Sequence, residues 1–498
     1  MKTHESTLAS TAPTKAMKEK GFSPLYTEIP FESPDRVYSR LKSKNSFLLE
    51  SVRGSNQIAR YSFIGIEPYL IFKVKDGLIE IEFGGKKTVS SRKPLHRLRE
   101  LLQGYRQSPV DDLPPFQGGA AGMFSYDFVH YLEKLPRNAA DDLDLPEAHF
   151  FMIDRLIAFD HERHKCWAIV CPGVRETALG YSEVDRDREW YIREAQEVLA
   201  RIAGLMAQER PVMISPGHKS GRSGTEIHQD VAKEQYQKMV MKAKEYIAAG
   251  DIFQANLSLR VNADIGGKDA WEIYRVLREI NPSPFSSFLD FGEYQIVSSS
   301  PERLVRVRDE VVDTRPIAGT RPRGRDSSED EQLRADLLLN EKERAEHIML
   351  IDLERNDIGR VCDYGTIVVD ELMVTEDYSH VIHIVSNVRG KLAGGMDCFD
   401  VIKATFPGGT ITGVPKVRCM EIIDEVEAVR RGPYTGSAGY IGFNGNMDLN
   451  ILIRTFLIKD GKAYIQAGAG IVADSDPERE YYESLKKAEA LIRTLERI

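Results

Sequence analysis

Hydrophobic positions along this chain change their spacing near the middle. From about residue 21 to about 206, short apolar and β-branched runs recur, among them SFLLESV, RYSFIGI, YLIFKV, LIEIEF, FFMIDRLIAF and CWAIVC. Turn signals such as DG and GG separate several of them, which predicts strands. A helical run, REWYIREAQEVLARIAGLMA, closes this half. The second half opens on KEQYQKMVMKAKEYIAAGD, a helix predicted to stop at Gly250 in the C-cap position. Strand-like and helical stretches then alternate to the end without a repeat or a regular βαβ order. This predicts an α+β fold with large, mostly antiparallel sheets.

Between the halves lies ERPVMISPGHKSGRSGTEIHQD, rich in Pro, Gly and Ser. The expected organisation is a loose tail over 1–20, an N-terminal domain over 21–210, a linker over 211–228 and a C-terminal domain over 229–498.

Two segments place acidic side chains where a buried face is expected. In EKERAEHIMLIDLERND, read as a helix, Glu346 shares a stripe with Leu350 and Leu353, and Glu343 stands one turn earlier. In DSDPEREYYESLKKAEALIRTLE, Asp476 precedes Pro477 at a helix start, and Glu480 and Glu483 again stand three apart. Two such helices suit an oxygen site for Mg²⁺, which needs one or two direct carboxylates plus waters and substrate oxygens. The plainer reading is surface salt bridging, through the i,i+4 pairs Lys342–Glu346 and Glu483–Lys487.

A third segment, DIFQANLSLRV, alternates. Phe253, Ala255, Leu257, Leu259 and Val261 share one strand face, with Gln254, Asn256, Ser258 and Arg260 on the other. The second face meets either water or a polar pocket. Its amides and hydroxyl, with a single charge, suit the pocket better. The loop TRPIAGTRPRGR supplies Arg315, Arg321, Arg323 and Arg325 around Ala318, Gly319 and Thr320, as anion binders or as a solvated turn. Arg454 in RTF adds another cation, and His380 and His383 in SHVIH add a proton carrier. FPGGTITGVPK lacks the Lys and Ser/Thr of a P-loop, and QAGAGIVAD lacks the third Gly of a dinucleotide fingerprint. Both still offer backbone N–H groups to an anion.

Composition narrows the function classes. A net charge of −9 leaves no excess of cations to neutralise phosphates, which argues against nucleic-acid binding. No signal peptide and no long apolar run appears, so neither a leader nor a membrane span is expected, and the cytoplasm is the expected compartment. Cys166, Cys171, Cys362, Cys398 and Cys419 are scattered without a C-x-x-C, which argues against disulfide scaffolds and zinc ribbons.

Taken together, DIFQANLS, SSSPERLV, RPIAGTRPRG, ERAEHIMLIDLERND, YSHVIHIVSNV, FPGGTITGVPK, YTGSAGY, NILIRT and QAGAGIVADSDPEREYYES resemble the chorismate-utilising enzymes. That family includes the large subunits of anthranilate and aminodeoxychorismate synthases, isochorismate synthase and salicylate synthase. The resemblance implies that the sheets form a central sandwich with helices packed outside. It also implies Mg²⁺ between the ring carboxylate of chorismate and Glu346 and Glu483, supported by Glu343 and Glu480. Tyr434 and Arg454 match the grip on the enolpyruvyl carboxylate. Thr410 and the backbone of Gly468, Ala469 and Gly470 match the ring-carboxylate cradle, and Lys487 is grouped with this substrate-binding set. His383 and Glu302 match groups near the departing C4 hydroxyl, with Glu302 as general acid.

The position of Gln254 is a water-activating Lys in the water-using members, so Gln implies ammonia as nucleophile, delivered by a separate glutaminase subunit. Thr320 and Ala318 complete the expected catalytic set. Ala318 is the anthranilate synthase form of a position that is a covalent Lys in many aminodeoxychorismate synthases. Asn256, FPGGTITG, YTGS, NILIRT, GGAAGMFSYD and NPSPFSSFLDF favour the aminodeoxychorismate branch. FLLES and RYSFIG, with Leu49, Glu50, Ser51, Pro282 and Ser283, match a tryptophan pocket that is regulatory in anthranilate synthases.

Overall fold

The structure, a computed structural model, describes residues 22–52, 54, 58–105, 107–177, 187–207, 226–377 and 381–498. The tail over 1–20 and most of the 211–228 stretch lie outside the described residues, as does His380.

Among the described residues, two antiparallel sheets, each twelve-stranded, form the centre. One runs from Leu25–Ile29 through Lys165–Val170, Arg155–Asp160, Tyr61–Gly65 and Ser46–Glu50 to Phe285–Asp290 and Tyr294–Ser300. It continues through Thr455–Lys459 and Lys462–Ile471 to Gln254–Asp264. The other runs from Ile317–Pro322 through Val381–Lys391, Val311–Thr314, Arg303–Arg308, Met447–Asn450 and Ser437–Gly442. It ends in Gly119–Phe124, Ala148–Ile153, Leu70–Lys75 and the hairpin strands beyond. Strands from both sides of the 211–228 stretch therefore pair within each sheet.

The sheets face one another across an aromatic layer. Phe63 of the first lies edge-on to Tyr440 of the second, with ring centroids 5.3 Å apart. Buried His149 of the second sheet meets the Tyr294 hydroxyl of the first at 3.0 Å. This is sheet-on-sheet packing, and the helices cover the outside.

Two helices of the site open on side-chain caps. Asn340 accepts from the Glu343 N–H at 3.1 Å and opens Glu341–Gly359. Asp476 accepts from the N–H groups of Glu478 and Arg479 and opens Pro477–Arg497. The helix Lys233–Ala248 is capped by Ala249, one residue before the predicted position, and Gly250 follows at φ +82°. That is the left-handed turn for which a glycine carries no steric penalty.

Candidate active site

Glu302 and Arg454 occupy two crossovers between the sheets. The chain leaves the first sheet at Ser300 and enters the second at Arg303, and it returns from Asn450 to Thr455. The crossovers run side by side. The Ser300 hydroxyl donates to the Ile451 carbonyl at 2.5 Å, and the Ile451 N–H donates to the Glu302 carbonyl at 3.0 Å. Arg454 makes its reversal at φ +53°, a region uncommon for a residue with a side chain.

Glu302 is 6% exposed, and its Oε1 accepts from the Thr410 hydroxyl at 3.0 Å. Burial pushes its carboxyl up to about 7, against the opposing pull of Thr410, the Ile317 N–H and the Arg454 charge. A carboxyl so placed holds a proton near neutrality and can give it away. Burial lowers the Arg454 guanidinium from its usual range, while Tyr434 and Glu302 oppose that shift. Among the described residues its guanidinium has no hydrogen-bond or ion-pair partner, so this half-buried fork is available to a carboxylate. The neighbouring Tyr434 hydroxyl is pushed up to about 12 by burial and stays protonated as a donor.

The floor of the site is a strand pair. Gln254–Asp264 pairs with Lys462–Ile471, with Asn256 opposite Gly470 and Ser258 opposite Gly468. The apolar face is buried as expected from Ala255 through Val261, but Phe253 is 69% exposed because it precedes the strand. The polar face is covered too: Gln254, Ser258 and Arg260 are all buried. Arg260 is spent on Asp142 and Asp230. A Cβ at Gly468 would stand 2.9 Å from both Asn256 Oδ1 and Tyr434 Oη, and one at Gly470 would overlap Gln254 Nε2. The glycines make room for the carboxamides opposite, with Ala469 between them facing away. Gln254 Nε2 donates to Glu346 Oε1 at 3.2 Å, which ties this floor to the helix Glu341–Gly359.

On the edge of the second sheet, Ile317–Pro322 pairs with Val381–Lys391 through a bulge between Ala318 and Thr320. The Thr320 Oγ1 lies 2.9 Å from His383 Nδ1, and the Gly319 carbonyl lies 3.3 Å from the same nitrogen. A carbonyl only accepts, so Nδ1 carries the proton of a neutral ring. Burial and the Arg454 charge depress the imidazole to about 4, against the pull of that carbonyl. His383 is thus neutral at working pH and acts through hydrogen bonds rather than charge. Ala318 offers no nucleophile.

The helix Glu341–Gly359 buries His347, Leu350, Ile351, Glu354, Asp357 and Ile358. Glu343 and Glu346 stand half-buried at the margin of that stripe. Arg321 pairs with Glu343 Oε1 at 2.5 Å, and the buried Oε2 has no partner. On Pro477–Arg497, Glu480 is raised by burial and by the Glu483 charge, an increase opposed by a Ser475 hydrogen bond, Lys487 and Lys342 of the other helix. Glu483 is exposed and pairs with Lys487 at 2.9 Å. Among the described residues no group of three or more His, Cys, Asp or Glu forms a ready-made metal cage. The unpartnered Glu343 oxygen lies toward Gly319, and Glu480 and Glu483 repel one another on the other helix; carboxylate oxygens are the ligand type that a hard cation takes, completed by water and ligand oxygens.

Other expected anion binders are already committed. Arg315 pairs with Glu371 and Glu376, Arg321 with Asp336 and Glu343, Arg323 with Asp330, and Arg325 with Glu329. The N-terminal pocket residues Leu49, Glu50 and Ser51 line a cavity of about 530 Å³ between the sheets. Pro284–Ser287 form its wall there rather than Pro282 and Ser283. Ser283 lies just behind, its carbonyl accepting from the Val52 N–H at 3.2 Å. Glu50 is fully engaged by the Tyr274 hydroxyl and the Arg278 fork.

Sequence reasoning missed the buried pair Glu427–Arg431. Arg431 donates to the carbonyls of Ile411 at 3.1 Å and Asn256 at 2.7 Å, and to Glu427 at 2.7 Å. Glu427 in turn accepts from the N–H and hydroxyl of Ser258, both at 2.9 Å. The pair fixes the floor strand against the Thr410 turn. Its signal was the i,i+4 spacing in EAVRR, which reads as an ordinary surface ion pair. No helix among the described residues is long and apolar enough to cross a membrane.

A profile of chorismate binding enzymes matches residues 44–493. Anthranilate synthase component 1 of Acetivibrio thermocellus is 44% identical over 486 residues, covering 96% of each chain. Aminodeoxychorismate synthase component 1 of Bacillus subtilis (strain 168) is 42% identical, covering 95% of this chain and 97% of the relative. The crystal structure of anthranilate synthase component I from Streptococcus pneumoniae TIGR4 superposes with a TM-score of 0.75 at 36% identity, covering 93% and 98% of the two chains. The chain belongs to the family of chorismate binding enzymes and, within it, to the anthranilate and aminodeoxychorismate synthase type.

Proposed function

We propose that the chain aminates chorismate with ammonia from a glutaminase partner, in a Mg²⁺-dependent reaction giving 4-amino-4-deoxychorismate. The observation that carries the amination is the side chain at 254. Gln254 is buried in the floor and bonded to Glu346, at the position that the resemblance gives to a water-activating Lys. A carboxamide cannot take that proton, and ammonia needs no such help.

The enolpyruvyl carboxylate takes the Arg454 fork and the Tyr434 hydroxyl, and the ring carboxylate lies toward Thr410 and the Gly468–Gly470 backbone. Mg²⁺, when bound by Glu346 and Glu483 with Glu343 and Glu480 beside them, supplies the positive charge that this acidic chain lacks for a doubly anionic ligand. Lys487, paired with Glu483, sets the charge at that edge. Glu302 passes its proton to the C4 oxygen as the C–O bond breaks and water leaves. The nitrogen lone pair forms the C–N bond, and the surplus proton on the new ammonium restores Glu302. Neutral His383, held by Thr320, orients the departing hydroxyl.

Ala318 supplies no covalent nucleophile, so ammonia displaces the C4 hydroxyl directly. The same Ala318, with the 44% identical anthranilate synthase relative, favours a second reading, in which pyruvate is expelled and anthranilate forms. A coupled pyruvate assay on the purified chain with chorismate, Mg²⁺ and ammonium separates the two. Pyruvate without added lyase selects anthranilate, and its absence with chorismate consumed selects the C4 amine. The inter-sheet cavity is the place for an amino-acid effector of the tryptophan kind.

A further inference from the structure

The helix Glu341–Gly359 buries two carboxyls that the amination does not use, and a lysine reaches one of them. Glu354 and Asp357 are 4% and 3% exposed on its inner stripe. Lys416 opens the helix Lys416–Val426, pairs with Asp357 and donates to the Thr405 carbonyl at 3.1 Å. Buried ion pairs seldom add stability over apolar side chains of similar size, so this trio calls for another role.

Its bonds run toward every group that holds the Glu302 carboxyl. Glu354 Oε2 lies 3.0 Å from the Thr314 hydroxyl, which also lies 3.1 Å from the Leu304 carbonyl. A hydroxyl has one proton and a carbonyl only accepts, so both contacts are satisfied together when Glu354 brings the second proton. Burial and the Asp357 charge hold the Glu354 carboxyl well above its ordinary range, against Lys416 and Thr314. Glu302 adds to that rise, and Arg360 faces Asp357 at the helix end. Glu354 then donates to Thr314, and Thr314 donates to Leu304, two residues beyond Glu302. Thr314 itself stands three residues before Ile317, whose N–H bonds the Glu302 carboxyl. Thr405 and Lys416 bracket the Thr410 turn. Gly409 of that turn presses on the helix so closely that a Cβ there would stand 2.0 Å from Leu353 Cδ2.

We propose that Glu354, Asp357 and Lys416 are positioning residues for the general acid, a buried brace with Glu354 as a hydrogen-bond donor. One turn of the helix thereby fixes the strand after Glu302, the Ile317 N–H and the Thr410 hydroxyl together. The brace also ties the acid to the helix that bears Glu343 and Glu346. It rests on the reading of Glu302 as general acid.

The test is steady-state kinetics of the full chain with chorismate, Mg²⁺ and ammonium chloride as a function of pH, with a melting curve for every variant. Glu354→Leu removes the donor and is expected to lower kcat about tenfold, with the KM for chorismate within about twofold of the parent. Its rate should also persist to higher pH by about half a unit, because donors that favour the Glu302 carboxylate are displaced. Glu354→Gln keeps an N–H donor to Thr314 and is expected to recover kcat to within about threefold. Asp357→Asn together with Lys416→Met removes both charges. This pair should melt within a few degrees of the parent yet lose about tenfold in kcat. A parental kcat and pH profile in Glu354→Leu or in the paired variant overturns the brace. So does a loss in Glu354→Gln as large as that in Glu354→Leu. If these variants do not fold, Thr314→Val decides, since it breaks the same relay with little change of shape. The upward pH shift there supports the brace, and a parental profile overturns it. Glu302→Gln keeps the two readings apart: parental turnover in it sinks the general acid, whereas loss in it with none in Glu354→Leu sinks the brace alone.

Discussion

The Thr410 hydroxyl donates to Glu302 Oε1 at 3.0 Å, joining the FPGGT turn to the crossover between the two sheets. The bond, with the Ile317 N–H, holds the carboxyl in place. Glu302→Gln is expected to lower kcat by about 10²–10⁴, the usual contribution of a positioned general acid. Chorismate binding, measured by calorimetry, should change little.

The same carboxyl predicts two pH effects. Its acid form is lost as pH rises through about 7, so the rate per concentration of free ammonia should fall across that range. The stability effect has the same sign. The group is raised in the folded protein from an ordinary value of 4.5, so its contribution is complete below 4.5 and is lost as pH rises through about 7. The loss is on the order of 3 kcal/mol. Glu302→Gln should therefore show a smaller drop in Tm between pH 5 and pH 8 than the parent. An equal drop in both would place the titration elsewhere.

Arg454 carries a half-buried charge with no hydrogen-bond or ion-pair partner among the described residues. Arg454→Met should raise the KM for chorismate about a hundredfold, because a two-pronged charged hydrogen bond is lost. In the absence of substrate the variant should melt no lower than the parent, since a half-buried charge without an ion-pair partner has been removed. A lower melting temperature would mean that Arg454 holds the fold rather than the ligand.

Gly470→Ala puts a methyl group into the Gln254 amide. The backbone there is extended and tolerates alanine, so the protein should fold with a loss of about 1–3 kcal/mol. Turnover with ammonium should nevertheless fall well beyond that expected from stability, because the Gln254–Glu346 bond is displaced. Near-parent turnover would remove Gln254 from the site.

Much of this was legible in the sequence, and the reasons are local. The cap at Asp476 and the glycine at 250 mark helix ends through short-range hydrogen bonds and allowed φ, so they read directly, whereas the Asn340 cap was not read. The alternation in 253–261 gave the strand and its faces, but not that both faces are covered, because the cover comes from Glu427, Asp142 and Asp230 far along the chain. Nor could spacing distinguish the arginines. Arg321 and Arg323 lie in a cluster that looks like an anion site, yet each is neutralised by a neighbour, whereas the isolated Arg454 is not. Interleaving of the two halves in both sheets was also invisible, because strand order depends on contacts made hundreds of residues apart.

Glu346→Gln and Glu483→Gln remove charge from the two helices on which the cation reading depends. Each variant should need more Mg²⁺ for half-maximal rate, by about tenfold or more, with unchanged melting in the absence of metal. A parental Mg²⁺ requirement in both would assign the cation to other ligands.

The most direct measurement is mass spectrometry of what the purified chain makes from chorismate, ammonium and Mg²⁺, run beside a sample stripped with chelator. The expected product has one hydroxyl exchanged for an amine with the enolpyruvyl group retained, and none forms in the stripped sample. Chorismate left untouched, or an equal yield without metal, would contradict a cation-dependent amination in this site.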